Sequence, residues 1–321
     1  MSLFYVLAGL VLLVVGGEFL VKSSVALSLK FHISKIVIGM TVVSFATSLP
    51  ELLVSLSAAI EGHPEISIGN VVGSNIANLA LVLGATAILT PILIKRISYV
   101  LNIPAMLILS GLLYWFLHND MTLSFVEGLI LFVFLIVFII VLLRYASRSG
   151  DVNLDELEEI DDSTEQIKFL KIVIWLVIGG LALWYGADLL VTGATLLAKQ
   201  VGVSESVISV SAVAIGTSIP ELAASIISAL KKEKDLSFGN LVGSNIFNIG
   251  SVLGLTAMIK PIHITDTRLI DIDILWMLGI SALIILLAIL PKRNKISWAK
   301  GFIYLSLYII YMYFFVFNIS K

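Results

Sequence analysis

The sequence predicts an all-α integral membrane protein of ten transmembrane helices, arranged as two five-helix repeats in inverted topology. Three observations lead to this fold class: an apolar composition, ten apolar runs of spanning length, and a polar motif that recurs 170 residues later. Apolar residues make up 59% of the 321 positions and charged residues 13%, with a mean hydropathy of +1.07. Soluble domains have roughly 45–50% apolar and 25% charged residues. Because a bilayer span takes about 20 apolar residues, ten spans leave no sizeable soluble domain.

The candidate spans are long apolar runs separated by charged or Pro/Gly-rich breaks. They lie at residues 2–21, 33–60, 67–93, 98–117, 123–143, 169–198, 203–230, 236–259, 271–290 and 297–317. The first run lacks the basic leader and cleavage site of a signal peptide, so we expect it to remain as a mature span. The chain has no cysteine, which excludes disulfides and thiolate metal sites.

The basic residues are distributed unequally between the two sets of loops. If the N-terminus is outside, sixteen of the twenty fall on the cytoplasmic side: Lys22, Lys30, Lys35, Lys95, Arg96, Arg144, Arg148, Lys168, Lys171, Lys231, Lys232, Lys234, Lys292, Arg293, Lys295 and Lys300. The other side has only Lys199, Lys260, Arg268 and Lys321. The positive-inside rule therefore predicts a multi-pass protein of the cell (plasma) membrane with both termini outside.

The internal repeat is the most informative feature of the sequence. Residues 43–92 align without a gap on 213–262, and 24 of the 50 positions are identical. Polar residues are included in this match, so shared apolar composition does not explain it. Five spans separate the two copies, and since five is odd they cross the membrane in opposite directions. Inverted repeats are typical of secondary transporters, whose substrate sites lie near the midplane between the halves.

The repeat also divides the chain. Residues 1–144 form the first five-helix repeat, with its repeated motif at about 39–92, and residues 169–321 form the second, with its motif at about 209–262. The segment 145–168 between them contains eight acidic residues and lacks the spacing of an EF-hand calcium loop. We expect a solvated cytoplasmic linker; a cation sensor is the alternative.

Two carboxylates inside predicted spans are the first candidates for function. Glu51 and Glu221 are equivalent in the repeat, and an intramembrane carboxylate is costly unless it is paired or hydrated. Each glutamate shares a helix face with a threonine and a serine, at i−4 and i−3: Thr47 and Ser48 in the first copy, Thr217 and Ser218 in the second. Pro50 and Pro220 are expected to kink these helices and to free the carbonyl groups of Ala46 and Gly216.

The following span of each copy contributes a second polar pair. Ser74 and Asn78 are spaced i, i+4, as are Ser244 and Asn248, and each pair directs side-chain oxygens to one helix face. Gly69, Gly73, Gly239 and Gly243 are expected to allow close helix packing, which is a purely structural role.

These ligands are all oxygens, with two carboxylates among them. Six to eight oxygens of this kind suit Ca²⁺, and the same oxygens can bind Na⁺; Mg²⁺ demands a stricter octahedron. The four histidines lie in or near predicted loops, which argues against a zinc or copper site. The expected substrates are thus Ca²⁺ and Na⁺ and the expected surroundings the lipid bilayer. No cofactor, nucleic acid or obligate protein partner is implied.

At these residues the chain resembles a known family. The stretches SFATSLPELLVSLSAA with GNVVGSNIANLALVLG, and AIGTSIPELAASIISA with GNLVGSNIFNIGSVLG, resemble the two alpha-repeats of the calcium/cation antiporter superfamily, and the nearest match is to prokaryotic sodium/calcium exchangers. The resemblance covers essentially the whole chain. It implies Na⁺/Ca²⁺ antiport by alternating access and no enzymatic activity. It also implies a set of ligand residues: Thr47, Ser48, Glu51, Ser74, Asn78, Thr217, Ser218, Glu221, Ser244 and Asn248, with backbone carbonyls at Ser44 and Ala214.

Several alternatives to this function remain. Some members of the family, including potassium-dependent exchangers, carry Asp at the positions of Asn78 or Asn248, so the resemblance makes potassium co-transport less expected here. The calcium/proton branch shares the same core, so a Ca²⁺/H⁺ antiporter is the alternative function. A channel usually needs a symmetric axial pore, and an intramembrane hydrolase would need a base beside Ser48 or Ser218.

Overall fold

The computed structural model describes residues 2–149, 167–200, 216–289 and 294–319. Its helices are α1 (Ser2–Phe31), α2 (Lys35–Thr47), α3 (Leu49–Glu61), α4 (Pro64–Leu89), α5 (Ser98–Asp120), α6 (Phe125–Ser149), α7 (Phe169–Gln200), α8 (Ile219–Leu230), α9 (Lys234–Ile259), α10 (Leu269–Ile289) and α11 (Trp298–Ile319). Its strands are β1 (Ile92–Leu93), β2 (Thr122–Leu123), β3 (Ile262–His263) and β4 (Lys295–Ile296). The acidic segment 150–166 lies outside these ranges, so the linker stays a prediction.

The helices have the length and composition of an α-helical membrane protein. Within the described ranges, seven helices are long and apolar enough to cross a bilayer, and the bent pair α2–α3 makes up to eight. Helix α8 has 12 residues and begins at Ile219, and the predicted span 203–230 is described only from residue 216 onward. The all-α membrane class is therefore confirmed.

The first helix is longer than predicted. Helix α1 continues to Phe31, ten residues beyond the predicted end at residue 21, so Lys22 and Lys30 lie on the helix and not in a loop. Buried serines line this extension, and the hydroxyls of Ser23 and Ser24 donate to the Leu20 carbonyl at 2.9 and 2.7 Å. A hydropathy criterion ends the span too early because these serines are polar in sequence but satisfied within the helix.

Four two-residue strands are a second difference from the all-α prediction. Strand β1 pairs antiparallel with β4, and β2 pairs with β3. Each pair joins the two halves of the chain just beyond the helix ends. Two residues are too few for an alternating pattern, so a sequence-based prediction had no periodicity to detect.

Helices α1 and α7 pack closely along one another. A Cβ atom placed on Gly9 would lie 2.7 Å from the Gly186 carbonyl oxygen, and one on Gly16 would lie 2.8 Å from the Leu183 amide nitrogen. Real Cβ atoms do not tolerate such distances, so glycine is required at this helix crossing. The pair flanks a core built from α2 to α6 and α8 to α11.

Contacts between the two halves of the chain recur at the spacing of the repeat. Asn75 Nδ2 donates to the Asn245 carbonyl and Asn245 Nδ2 to the Asn75 carbonyl, both at 3.2 Å. Lys95 forms an ion pair with Asp235 at 2.5 Å, and the equivalent positions are joined by Glu65, which accepts from the Thr265 amide at 2.6 Å. The two repeated segments thus meet in equivalent surroundings at the centre of the protein.

Candidate ion-binding site

Each predicted glutamate begins a new helix in the interior of the protein. Helix α2 ends at Thr47, Ser48 breaks the helix with φ −88° and ψ 2°, and α3 begins at Leu49 after a bend of 43°. Ser218 precedes α8 with nearly the same angles, φ −86° and ψ 0°. The expected kink is present, and it comes at the serine. Proline occupies the first helical turn, where its missing N–H is not needed.

The two carboxylates lie at these helix N-termini. Glu51 and Glu221 fall in the first turns of α3 and α8, where the helix dipole favours a negative charge. Both side chains are 0% exposed, and within the described part of the chain none of their four carboxylate oxygens has a hydrogen-bond partner. The carboxylates are close enough to repel each other. Two buried like charges without donors must be neutralised, by a bound cation or by protons.

Hydroxyl groups from both repeats surround this pair. The side chains of Thr47, Ser48 and Ser244 lie beside the Glu221 carboxylate. The hydroxyls of Ser48 and Ser218 are buried and have no hydrogen-bond partner among the described residues, and neither caps its own helix. Their oxygens are therefore available as ligands.

The other predicted threonines and serines pair across the repeats. Thr47 Oγ1 lies 3.3 Å from Ser244 Oγ, and Ser74 Oγ lies 2.9 Å from Thr217 Oγ1. Each pair joins one residue of the first copy to one of the second. The structure thus brings together residues that are about 200 and 140 positions apart in the chain.

The predicted amides, Asn78 and Asn248, are held with their oxygens free. Asn78 Nδ2 donates to Asn245 Oδ1 and Asn248 Nδ2 donates to Asn75 Oδ1, both at 3.1 Å. The Oδ1 atoms of Asn78 and Asn248 are buried and have no donor in the described ranges. The amide protons are used for orientation, which leaves both carbonyl oxygens for a ligand.

Asn75 and Asn245, which the sequence reasoning passed over, hold this arrangement in place. Each is 1% exposed and bonds to the opposite repeat through both its Nδ2 and its Oδ1 atoms. Their presence in both copies of the Gly-Ser-Asn-Ile run was the signal that could have identified them.

A further pair of asparagines was also missed. Asn70 Nδ2 donates to Ser55 Oγ at 3.0 Å and to the Glu51 carbonyl at 3.3 Å, and Asn240 Nδ2 donates to Ser225 Oγ at 3.2 Å. These bonds tie the glutamate helices, α3 and α8, to α4 and α9. They position the carboxylates without touching them.

Of the two carbonyl groups predicted as ligands, those of Ser44 and Ala214, only the Ser44 carbonyl lies within the described residues. The Ser44 carbonyl accepts the Ser48 N–H at 2.9 Å and the Thr47 hydroxyl at 3.4 Å. The Ser44 hydroxyl donates to the carbonyls of Gly39 and Asn240. Ala214 lies outside the described residues.

Some segments beside the site are π-helical, which the sequence did not predict. Within α4 the π turns span Ala77–Leu83, and within α9 they span Asn248–Leu253, so one begins just before Asn78 and the other begins at Asn248. A π turn widens the helix by one residue and is frequent at functional sites. Of the predicted packing glycines, Gly239 and Gly243 contact α2 closely. Among the described residues, a Cβ on Gly69 would meet only Leu269, at 4.0 Å, and one on Gly73 would have no neighbour within 4 Å.

The free oxygens of the site suit a hard cation. Among the predicted ligand side chains, eight buried oxygens lack a hydrogen-bond partner in the described residues: Glu51 Oε1 and Oε2, Glu221 Oε1 and Oε2, Ser48 Oγ, Ser218 Oγ, Asn78 Oδ1 and Asn248 Oδ1. No group of three or more His, Cys, Asp or Glu side chains occurs within the described ranges, so the charge here comes from two carboxylates. Carboxylate, hydroxyl and amide oxygens are ligands for Ca²⁺ and Na⁺ and poor ligands for zinc or copper.

Comparison with protein families agrees with this chemistry. The family model described as sodium/calcium exchanger protein matches residues 1–144 and 171–317. The chain belongs to the sodium/calcium exchanger family. It is therefore a multi-pass membrane protein of a cation antiporter family, and that family is not one of enzymes.

Individual relatives align with this exchanger-family chain over nearly its full length. It is 36% identical to the putative antiporter CaxA of Alkalimonas amylolytica, covering 96% of this chain and 97% of the relative. It is 29% identical to the sodium/calcium exchanger MaX1 of Methanosarcina acetivorans, covering 95% and 96%. Solved structures of the sodium-calcium exchanger NCX_Mj, including one soaked with 2.5 mM Na⁺ and 0.1 mM Ca²⁺, match with a TM-score of 0.81 at 30% identity over 97% of each chain.

Two further acids, Glu18 and Asp188, are equivalent in the repeat but lie away from the carboxylate pair. Glu18 forms ion pairs with Lys22 at 3.1 Å and Lys231 at 3.2 Å on an exposed surface. Asp188 on α7 is exposed. Glu18 thus has the surroundings of a solvated acid, although it lies near the middle of α1 and not near a helix end.

Proposed function

We propose that this exchanger-family chain is a secondary active antiporter that exchanges Na⁺ for Ca²⁺ by alternating access. The observation that carries the proposal is the pair of fully buried carboxylates, Glu51 and Glu221, whose oxygens have no donors among the described residues. Two negative charges balance one Ca²⁺ or two Na⁺. The names of the similar exchangers, which include both ions, support this choice of substrates.

The proposed architecture has ten spans in two inverted repeats, residues 1–144 and 169–321, joined by a cytoplasmic linker at 145–168. The reciprocal Asn75–Asn245 bonds and the equivalent Lys95–Asp235 and Glu65–Thr265 contacts support a twofold relation between the halves. The positive-inside rule then places both termini outside a cell membrane.

The proposed cation ligands are distributed over both repeats. The side chains of Thr47, Ser48, Glu51, Ser74, Asn78, Thr217, Ser218, Glu221, Ser244 and Asn248 supply oxygens, with carbonyls of Ser44 and Ala214. Ligands from two halves that must move relative to one another allow the bound ion to be exposed first to one side and then to the other.

Competition for the carboxylates makes the transport an exchange. Na⁺ and Ca²⁺ both need Glu51 and Glu221, so binding of one displaces the other. A loaded site is nearly neutral and can be occluded, whereas an empty doubly charged site is costly to move through a dry barrier. Helices α1 and α7, packed on each other through Gly9 and Gly16, are the proposed unit that moves past the core.

A Ca²⁺/H⁺ antiporter with the same site is the second candidate. Its support is that carboxylates can be neutralised by protons as well as by Na⁺. Because Asn occupies both positions 78 and 248, the site lacks the additional carboxylate associated with potassium co-transport.

The deciding experiment is ⁴⁵Ca²⁺ uptake into proteoliposomes containing the purified protein. Four internal conditions are compared: an outward Na⁺ gradient, an outward proton gradient, an outward K⁺ gradient and no gradient. We expect uptake only with Na⁺ inside. Uptake driven by protons would assign the protein to the calcium/proton branch, and uptake without a counter-ion would replace the antiporter with a channel.

A further inference from the structure

A third buried acid lies apart from the ion-binding site. Asp273 is 3% exposed, within the π-helical turn Leu269–Ile274 that begins α10. Its Oδ1 atom has no hydrogen-bond partner among the described residues. The proposed exchange mechanism makes no use of it, and an ionisable residue inside a membrane protein is by default a functional candidate.

The repeat-equivalent position has no charge. Met106 and Met277 are equivalent, since each sulfur accepts from an asparagine amide of the opposite repeat, at 3.8 and 3.7 Å. Four residues before each methionine, Asn102 in the first repeat corresponds to Asp273 in the second. Asn102 is also fully buried, so the fold accepts an amide here, and the carboxyl is a feature of one repeat only.

A column of tyrosines on α11 is likewise present in only one of the two repeats. Tyr304, Tyr308 and Tyr311 are 0%, 7% and 6% exposed and lie on one face of the helix. Gly301 on α11 and Gly128 on α6 make equivalent close contacts, to the carbonyls of Gly84 and Gly254. Counting from these glycines, the positions equivalent to the three tyrosines are, in the same order, Leu131, Leu135 and Phe138, which are also buried.

The tyrosine column continues from Asp273 into the protein. The Tyr311 hydroxyl lies beside the Asp273 carboxyl group. The hydroxyls of Tyr304 and Tyr308 are buried without a hydrogen-bond partner in the described ranges. From Tyr311 to Tyr304 a helix rises roughly 10 Å. Helix α11 packs against the π turn Ala77–Leu83, which carries the proposed ligand Asn78.

Charged groups near Asp273 favour a proton over a metal ion as its ligand. Arg268 and Asp266, in the turn before α10, interact electrostatically with the Asp273 carboxyl group. Of the other helices packed on this turn, α4 carries Glu65, which is held by Thr265 and by the Asp266 amide, and α5 carries Tyr114 and His118 towards its end. One carboxylate beside an arginine does not attract a second cation, but it can gain and lose a proton.

We propose that Asp273 is a proton-binding site, separate from the Glu51–Glu221 site and reached from the predicted outer face, with Tyr311, Tyr308 and Tyr304 as a column of buried hydroxyls that extends from it towards the Asn78 turn. A phenol hydroxyl both donates and accepts, so the column can adjust to either protonation state of the carboxyl group. Proton binding at Asp273 is therefore expected to make transport depend on external pH.

The first test is infrared difference spectroscopy of the purified protein in lipid during a change of pH, which does not depend on transport. The variant Asp273→Asn reproduces the residue of the first repeat and should fold. It should lose one carbonyl stretching band of a protonated carboxyl group that the wild type shows. The matched control is Asp271→Asn, which makes the same change at an exposed residue of the same turn and should keep the band. A wild-type spectrum in Asp273→Asn overturns the proposal.

The second test uses Tyr311→Phe, the residue type found at Phe138. Loss of the neighbouring hydroxyl should shift the frequency of the Asp273 band without removing it, and an unshifted band would exclude the tyrosine column. In proteoliposomes at a fixed cation gradient, Asp273→Asn should flatten the dependence of ⁴⁵Ca²⁺ flux on external pH and leave the dependence on internal pH unchanged. Flattening on the internal side alone, or on neither side, contradicts access from the outer face.

Discussion

Replacing Glu51 by Gln tests the ion-binding site most directly. The substitution keeps the size of the side chain and removes one of two buried negative charges whose oxygens lack donors in the described structure. Leaving a buried charge without its partner costs about 3–5 kcal/mol. Because each 1.4 kcal/mol is tenfold, Ca²⁺ affinity should fall by roughly two to three and a half orders of magnitude. Exchange should be abolished at Ca²⁺ concentrations that support the wild type.

The same substitution should not destabilise the ion-free protein. It removes the repulsion between Glu51 and Glu221 and one buried charge, so thermal stability without Ca²⁺ should equal or exceed that of the wild type. Ca²⁺ at 100 times its dissociation constant should stabilise the wild type by about 2.7 kcal/mol, and this gain should be absent in Glu51→Gln at that concentration. The predicted defect is therefore in binding and not in folding.

Two measurements on the same preparations check this prediction: ⁴⁵Ca²⁺ uptake into Na⁺-loaded proteoliposomes, and thermal unfolding with and without Ca²⁺. The control is Glu61→Gln, which makes the same change at an exposed residue at the end of the same helix, α3. It should behave as the wild type in both. Wild-type exchange in Glu51→Gln, or a normal Ca²⁺-dependent rise in its unfolding temperature, would refute the assignment.

Three further predictions concern the surroundings of the carboxylates. Thr47→Val removes a hydroxyl that contacts Ser244 and Asn240. A loss of about 1.5 kcal/mol in Na⁺ binding free energy should raise the Na⁺ concentration for half-maximal exchange about tenfold. An unchanged Na⁺ dependence would exclude Thr47 as a ligand. Asn75→Ala leaves the Asn248 amide and the Asn245 carbonyl without their partners, so stability should fall by about 1–3 kcal/mol in thermal unfolding, and no loss would contradict the positioning role. Gly186→Ala places a Cβ 2.9 Å from the Leu13 amide nitrogen, so thermal unfolding should show a loss of stability of about 1–3 kcal/mol. The control Gly111→Ala has no described neighbour within 4 Å and should be neutral or slightly stabilising. Equal effects of the two substitutions would mean that α1 and α7 are not tightly packed at Gly186.

The predicted site residues show which functional positions an internal repeat identifies and which it misses. Glu51 and Glu221 were found because a carboxylate in an apolar run is costly and these two are equivalent in the repeat. Asn75 and Asn245 lie in an equally well-matched run, but an asparagine has no comparable cost in a sequence. Their importance appears only where Asn75 bonds to Asn245 and Asn248 of the opposite repeat.

Local features that depend on distant contacts were also beyond the sequence. The π turns at Ala77–Leu83 and Asn248–Leu253 and the paired strands β1–β4 and β2–β3 have no periodic pattern of their own. The end of α1 was placed too early because Ser23 and Ser24 are counted as polar until their hydroxyls are seen to bond to Leu20. Asp273 was likewise not singled out, since it is near the start of a predicted span and its burial depends on the helices packed around its turn, α4 and α5 among them.

By itself, the sequence determined the membrane class, the candidate spans, the repeat and the two central carboxylates, because apolar length and internal repetition are properties of the chain in one dimension. Only the tertiary structure decided which oxygens remain free of donors, which asparagines orient them, and which face of α11 meets Asp273. The orientation of the free oxygens depends on contacts between residues some 140 to 200 positions apart, and the position of α11 beside Asp273 depends on packing within the second repeat. Such contacts are set by the packing of whole helices, which no local pattern of residues records.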